Sequence, residues 1–137
     1  MNAFLSIQEV VIPIAVNLPD GIRGADFILR YDQRVWNTPT AEPGPNHPIG
    51  SGAAYASVVA TSDEFSDAKV GVAREWDEPW QGDLILVKFT RRTDAPLGQT
   101  RIEIVERDLT DTYPTQVFKS DFSPYTVETL DAREFVI

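Results

Sequence analysis

Asp26-Phe27-Ile28-Leu29-Arg30-Tyr31 decides the fold, because its residues alternate strictly. Successive side chains of a strand point to opposite faces, so Phe27, Leu29 and Tyr31 share one face and Asp26, Ile28 and Arg30 share the other. The first set is apolar and is expected in a core. The second is two charges around an isoleucine, the pattern of a solvent-facing side.

Working outward, the same period recurs. Upstream, Glu9 to Val16 is rich in β-branched residues, and Leu18-Pro19-Asp20-Gly21 supplies a turn in which Pro presets φ and Gly accepts positive φ. Downstream, strands are predicted at Ala53 to Ala60, Lys69 to Glu75, Leu84 to Thr90 and Thr100 to Arg107. Weaker ones are predicted at Tyr125 to Glu128 and Glu134 to Ile137. Ser62 to Asp67 and Asp94-Ala95-Pro96-Leu97-Gly98 read as turns. Residues 37 to 52 hold Pro39, Pro43, Pro45 and Pro48 with Gly44, Gly50 and Gly52, and read as a loop. Trp76 to Gly82 reads as a loop with room for one helical turn. Eight or nine short strands at this spacing predict an all-β sandwich in a single domain spanning 1–137. The expected core is Phe27, Leu29, Tyr31, Leu84, Leu86 or their alternates, Ile102 and Ile104.

Composition narrows the function. The 137 residues contain no cysteine, which removes disulfides, thiolate metal sites and cysteine nucleophiles. A formal charge of -9 repels phosphate backbones and anionic lipid surfaces, so neither nucleic acid nor membrane is an expected partner. No apolar run approaches the length of a membrane-spanning helix. No signal peptide is visible, as expected of an excised domain of an extracellular or cell-surface protein.

Catalytic motifs are absent: there is no G-x-S-x-G, no H-E-x-x-H and no phosphate-binding glycine loop. His47, the single histidine, sits in the Pro-rich loop without an evident nucleophile and reads as a solvated loop residue. The acidic residues provide many carboxylate pairs, too many to single out a glycosidase pair. Asp63, Glu64 and Asp67, and separately Asp108 and Asp111, are the hard-oxygen groups that a Ca²⁺ ion would use, but they lack EF-hand spacing and read as turn residues. Neither a resident metal nor a cofactor is expected.

Several segments in order resemble a cohesin module, the receptor half of the cohesin–dockerin pair. Val10-Val11-Ile12-Pro13-Ile14-Ala15-Val16 is similar to the family's V-x-V-P-V-x-V strand. Ile22 to Asp32 is similar to its signature strand, in which Gly-x-Asp-Phe leads to Tyr-Asp, with Val35 in the place of the Val-Leu that follows. Gly82 to Phe89 followed by Asp94-Ala95-Pro96-Leu97-Gly98 resembles the G-x-L-x-x-I-x-F strand and D-A-P-x-G turn, Glu106 to Asp111 the E-x-x-L-T-D segment, and Val127 to Ile137 the closing hairpin. The chain departs from the family at a first strand shortened to Asn2 to Leu5, at the Trp76 to Trp80 loop and at Gly24. The resemblance implies a nine-stranded jelly-roll β-sandwich that is not an enzyme and binds a helical dockerin-like domain on one flat sheet face. It makes Asp26 a candidate contact, with Ile28 buried by association and Arg30 nearer the rim.

Two other classes stay open at this point. Trp76 and Trp80, four residues apart among Asp77, Glu78 and Gln81, have the makings of an aromatic platform for a polysaccharide, unless their rings fold inward. A structural or adhesion module of a larger extracellular protein is the third class.

Overall fold

The computed structural model describes residues 8–45, 54–73, 75–126 and 132–136, and among them every regular element is a β-strand. They form β1 (Glu9–Leu18), β2 (Gly24–Asp32), β3 (Thr40–Pro43), β4 (Ala54–Thr61), β5 (Phe65–Val72), β6 (Trp80–Thr90), β7 (Gln99–Val105), β8 (Gln116–Phe118) and β9 (Ala132–Val136). Two antiparallel sheets result. The smaller has the order β1-β6-β3, and the larger β4-β5-β2-β7-β9, with β8 also paired to β2. The chain is an all-β sandwich, as the alternation predicted. His47 and the strand expected at Asn2 to Leu5 lie outside the described residues.

The core between the sheets follows the alternation. Phe27, Leu29 and Tyr31 are buried from the larger sheet, joined by Val70, Val72 and Ile102. Ile12, Ile14, Val87 and Phe89 meet them from the smaller one. Tyr31 packs edge-on against Phe89 at 5.3 Å between ring centroids, and Trp36 meets Phe89 at 6.3 Å and Phe135 at 6.0 Å. Ile104 is partly buried against this cluster.

Several elements differ from the sequence expectation. A register shift opposite Ile14 and Ala15 inserts one extra residue into β6, so Leu84 and Ile85 both face inward and the phase then reverses to bury Val87 and Phe89. Leu86 therefore faces outward and its alternates fill the core. Inside the Pro-rich stretch, β3 pairs with β6, Pro43 standing opposite Ile85 at the strand's end; a proline is tolerated because β3 is an edge strand. Pro13 sits within β1, another edge. β5 begins at Phe65, so only Ser62 to Glu64 turn. β8 is absent from the sequence expectation. Tyr125 and Thr126, expected to open a strand, lie outside any strand, and the rest of that segment lies outside the described residues.

Candidate functional site

The residue rows across the larger sheet define its outer face. Asp26 on β2 stands opposite Gly71 on β5, which stands opposite Tyr55 on β4. The middle residue has no side chain, and this opens a path for its neighbours. A Cβ on Gly71 would lie 2.6 Å from the Tyr55 hydroxyl and 2.7 Å from Asp26 Oδ1. Without it, Tyr55 donates a hydrogen bond to Asp26 Oδ1 across the intervening strand. Burial first, then the hydrogen bond to Asp26 and the carboxylate's negative charge, push the Tyr55 phenol above its usual range.

The next row is Ile28, Lys69 and Ser57. Lys69 Nζ lies 4.0 Å from Asp26 Oδ1, 5.8 Å from the Tyr55 ring centroid and 5.4 Å from that of Tyr113. Both attractions on the Asp26 carboxylate fall on Oδ1, and Oδ2 has no protein donor among the described residues. The Asp26 side chain keeps 22% of its surface and that of Lys69 28%. This is a partly exposed polar and aromatic cluster at the middle of a sheet face.

Ile28 does not behave as predicted. It points away from the main core, yet its exposure is 0%. Its backbone is held from 87 positions downstream, where Thr115 Oγ1 accepts a hydrogen bond from the Ile28 amide at 2.9 Å and donates to the Val105 carbonyl at 2.6 Å. Thr115 thus fills the gap between β7 and β8 along β2, and the excursion that it ends, Glu106–Thr115, brings the Tyr113 ring to Lys69, the neighbour of Ile28 in its row. A partner has no Ile28 surface left to bury, so the isoleucine is a packing residue and not the expected interface centre.

Arg30 is held in place by Asp67. Its guanidinium donates to both carboxylate oxygens at 2.9 and 3.0 Å, and Asp67 is fully buried. The hydrogen bonds from Arg30 to Asp67 outweigh burial and hold the guanidinium above its usual range. Asp67 therefore stands in a strand with both oxygens engaged, not in a turn beside Asp63 and Glu64 as a cation site would need. Asp108 closes its own turn, accepting hydrogen bonds from Thr110 Oγ1 at 2.5 Å and from the Thr112 and Tyr113 amides at 2.6 and 2.9 Å. Burial opposes its ionisation, but these donors prevail and hold the carboxyl below its usual range. Asp111 is the residue of that turn with φ of 57°. Among the described residues no three His, Cys, Asp or Glu side chains are grouped to hold a metal ion.

The tryptophans separate. Trp76 is 36% exposed and its backbone bridges Ile22 with two 2.7 Å hydrogen bonds. Trp80 opens β6 opposite Leu18, and its side chain packs against the core. The segment read as a loop with a helical turn is in fact a bridge followed by a strand, and the two rings do not make one exposed platform. Tyr55, Lys69 and Tyr113 carry no sequence signal that singles them out. Tyr55 and Lys69 come from neighbouring strands and Tyr113 from the Glu106–Thr115 excursion, so only the strand register and the path of that loop bring them together.

No protein-family model and no curated protein sequence matches the chain. Among solved structures it is similar to a chain in the crystal structure of the Coh-OlpA-Doc918 complex, described as a novel type I cohesin–dockerin complex from Clostridium thermocellum. The likeness has a TM-score of 0.58 at 18% identity and covers 86% of this chain and 81% of that one. Two antiparallel sheets in this arrangement, with the signature strand Gly24–Asp32 inside the larger of them, give the chain the cohesin fold.

Proposed function

We propose that residues 1–137 form one non-catalytic protein-binding module and that a dockerin-type domain docks on the outer face of β4-β5-β2-β7. The supporting observation is the Asp26 carboxylate, partly exposed at the middle of that face with Oδ2 unengaged among the described residues while Tyr55 and Lys69 hold Oδ1. An oriented acid with a free oxygen accepts hydrogen bonds from a partner's hydroxyls or amides without first rearranging. Lys69 and the exposed part of Tyr113 flank it, and an exposed tyrosine is a residue type enriched at interface centres. The complex to which the fold is similar pairs a cohesin with a dockerin. On this reading the module works outside the cell or on its surface, within a larger polypeptide. Among the described residues no helix is long and apolar enough to cross a membrane.

Isothermal titration against a purified dockerin tests the proposal. Asp26→Ala should weaken binding about ten- to hundredfold, the value of one charge-assisted hydrogen bond, while the urea midpoint stays close to that of the parent. Unchanged affinity would remove Asp26 from the interface. No measurable binding of the parent to any of a panel of dockerins would remove the partner class.

A further inference from the structure

At the end of the sandwich where β2 runs out, the β2–β3 connection, the β4–β5 hairpin and the β6–β7 turn enclose an open pocket of about 860 Å³. It lies between the ends of the two sheets, away from the outer face that carries Asp26. Its volume falls within the usual range of small-molecule sites, roughly 300–1,000 Å³.

The charges of this pocket are already matched. Arg34 binds both oxygens of Asp32 at 3.0 and 2.7 Å, and Arg92 donates to Asp94 Oδ1 at 3.2 Å. Neither guanidinium is left as a bare cation for an anionic ligand. Gln33 is also occupied, donating to the Ser62 carbonyl at 2.7 Å and accepting from Ser66. What remains is neutral hydrogen-bonding capacity. Among the described residues neither the Asn37 side-chain amide nor the second Asp94 oxygen has a protein partner. Trp36, 1% exposed and wedged edge-on against Phe89, also lines the pocket, and its indole N–H is buried without an acceptor among the described residues. A buried donor left unpaired costs free energy and calls for an explanation.

From these observations we infer that the end pocket binds a neutral, hydroxyl-rich ligand of mono- or disaccharide size. A hydroxyl both donates and accepts, so one ligand can serve the Asn37 amide, the open Asp94 oxygen and the Arg92 N–H groups together. The paired arginines orient donors without demanding a counter-charge. The ligand packs at the pocket wall formed by Trp36, whose N–H reports any change in its surroundings. The site is independent of dockerin docking and of the Trp76 and Trp80 pair.

The indole region of a ¹H–¹⁵N spectrum tests this directly, because three tryptophans give three signals. Cellobiose, maltose and lactose are titrated as neutral probes, with glucuronate and inorganic phosphate as charged ones. The Trp36 signal should shift saturably with at least one neutral disaccharide and not with phosphate. Asn37→Ala and Arg92→Gln should each weaken that response about tenfold, one neutral-ligand hydrogen bond in magnitude, at unchanged melting temperature. A soluble glucan added as a separate arm distinguishes a site for sugars within a chain, which it would occupy, from one for free sugars only. No saturable Trp36 shift with any neutral sugar, an equal response to glucuronate or phosphate, or parent-like binding by both variants would each overturn the inference.

Discussion

Tyr55 and Asp26, 29 positions apart and on strands that do not pair, share a hydrogen bond across Gly71. The contact exists because the strand between them contributes no side chain to that row. Gly71→Ala would place a methyl group within 3 Å of the Ala25 carbonyl, the Tyr55 hydroxyl and the Asp26 carboxylate. Overpacking of this kind costs about 1–3 kcal/mol, measurable as a lower urea midpoint. A loss below about 0.5 kcal/mol, the usual scatter of surface changes, would mean that the row has room to spare.

The same contact predicts an alkaline weakness. A phenol whose folded pKa is raised contributes stability that is complete below the unfolded value, 10.0, and is lost as pH rises toward the folded one. Burial is the first cause for Tyr55, and it also raises Tyr31 and Tyr125. The melting temperature should therefore fall as pH climbs above that point, and Tyr55→Phe should make the fall shallower. Parallel curves for parent and variant would contradict the assignment.

Ile28 and Phe27 face opposite sides of β2, yet both should behave as core residues. Phe27→Ala should cost about 3–5 kcal/mol and Ile28→Ala about 2–5 kcal/mol. Thr115→Val leaves the Ile28 amide and the Val105 carbonyl without their shared partner, at about 1–3 kcal/mol. Hydrogen exchange at the Ile28 amide should accelerate in that variant. If it does not, the excursion is not what shields the strand.

Asp67 and Arg30 form the one pair among the described residues in which the carboxylate has no exposed surface. Asp67→Ala strands the guanidinium and should cost about 3 kcal/mol, toward the lower end of what breaking a buried pair costs because Arg30 keeps 25% of its side-chain surface. Arg30→Met with Asp67→Leu should recover most of that loss, because apolar replacement of both partners avoids the stranded charge. A double variant as unstable as the single one would show that hydrogen-bond geometry, not charge burial, holds the strands together.

The parts of this fold legible in the sequence are those governed by local alternation. Phe27, Leu29 and Tyr31 declare the core, and the strong runs locate β1, β4, β6 and β7 to within a few residues. What stays hidden depends on partners remote in sequence. Ile28 is fully buried on the face that local alternation turns outward, its amide tied to Thr115 from 87 positions away, and nothing near Ile28 announces it. Edge strand β3 is masked by Pro43, which is compatible with a strand only where no neighbour needs its missing N–H. The bulge at Leu84 reverses the phase of β6 and moves Leu86 outward. At the candidate site Asp26 is visible through family resemblance, whereas Tyr55 and Lys69 need the registers of three strands, and Tyr113 the path of a loop, before they can be seen as neighbours. Trp76 and Trp80 look equivalent by spacing and prove different because only one begins a strand.

The prolines and the irregular strands have one further result. An edge strand with a full row of unpaired N–H and C=O groups is a template on which another copy can add, the first step toward aggregation. Here β1 carries Pro13 in its interior, β3 ends on Pro43, and β4 is broken in register between Val58 and Ala60. Each of these three borders interrupts the ladder a second molecule would need, and a charge of -9 keeps such molecules apart. The irregularities that obscure these strands in the sequence thus guard the β1, β3 and β4 borders against stitching the protein into larger sheets at high concentration.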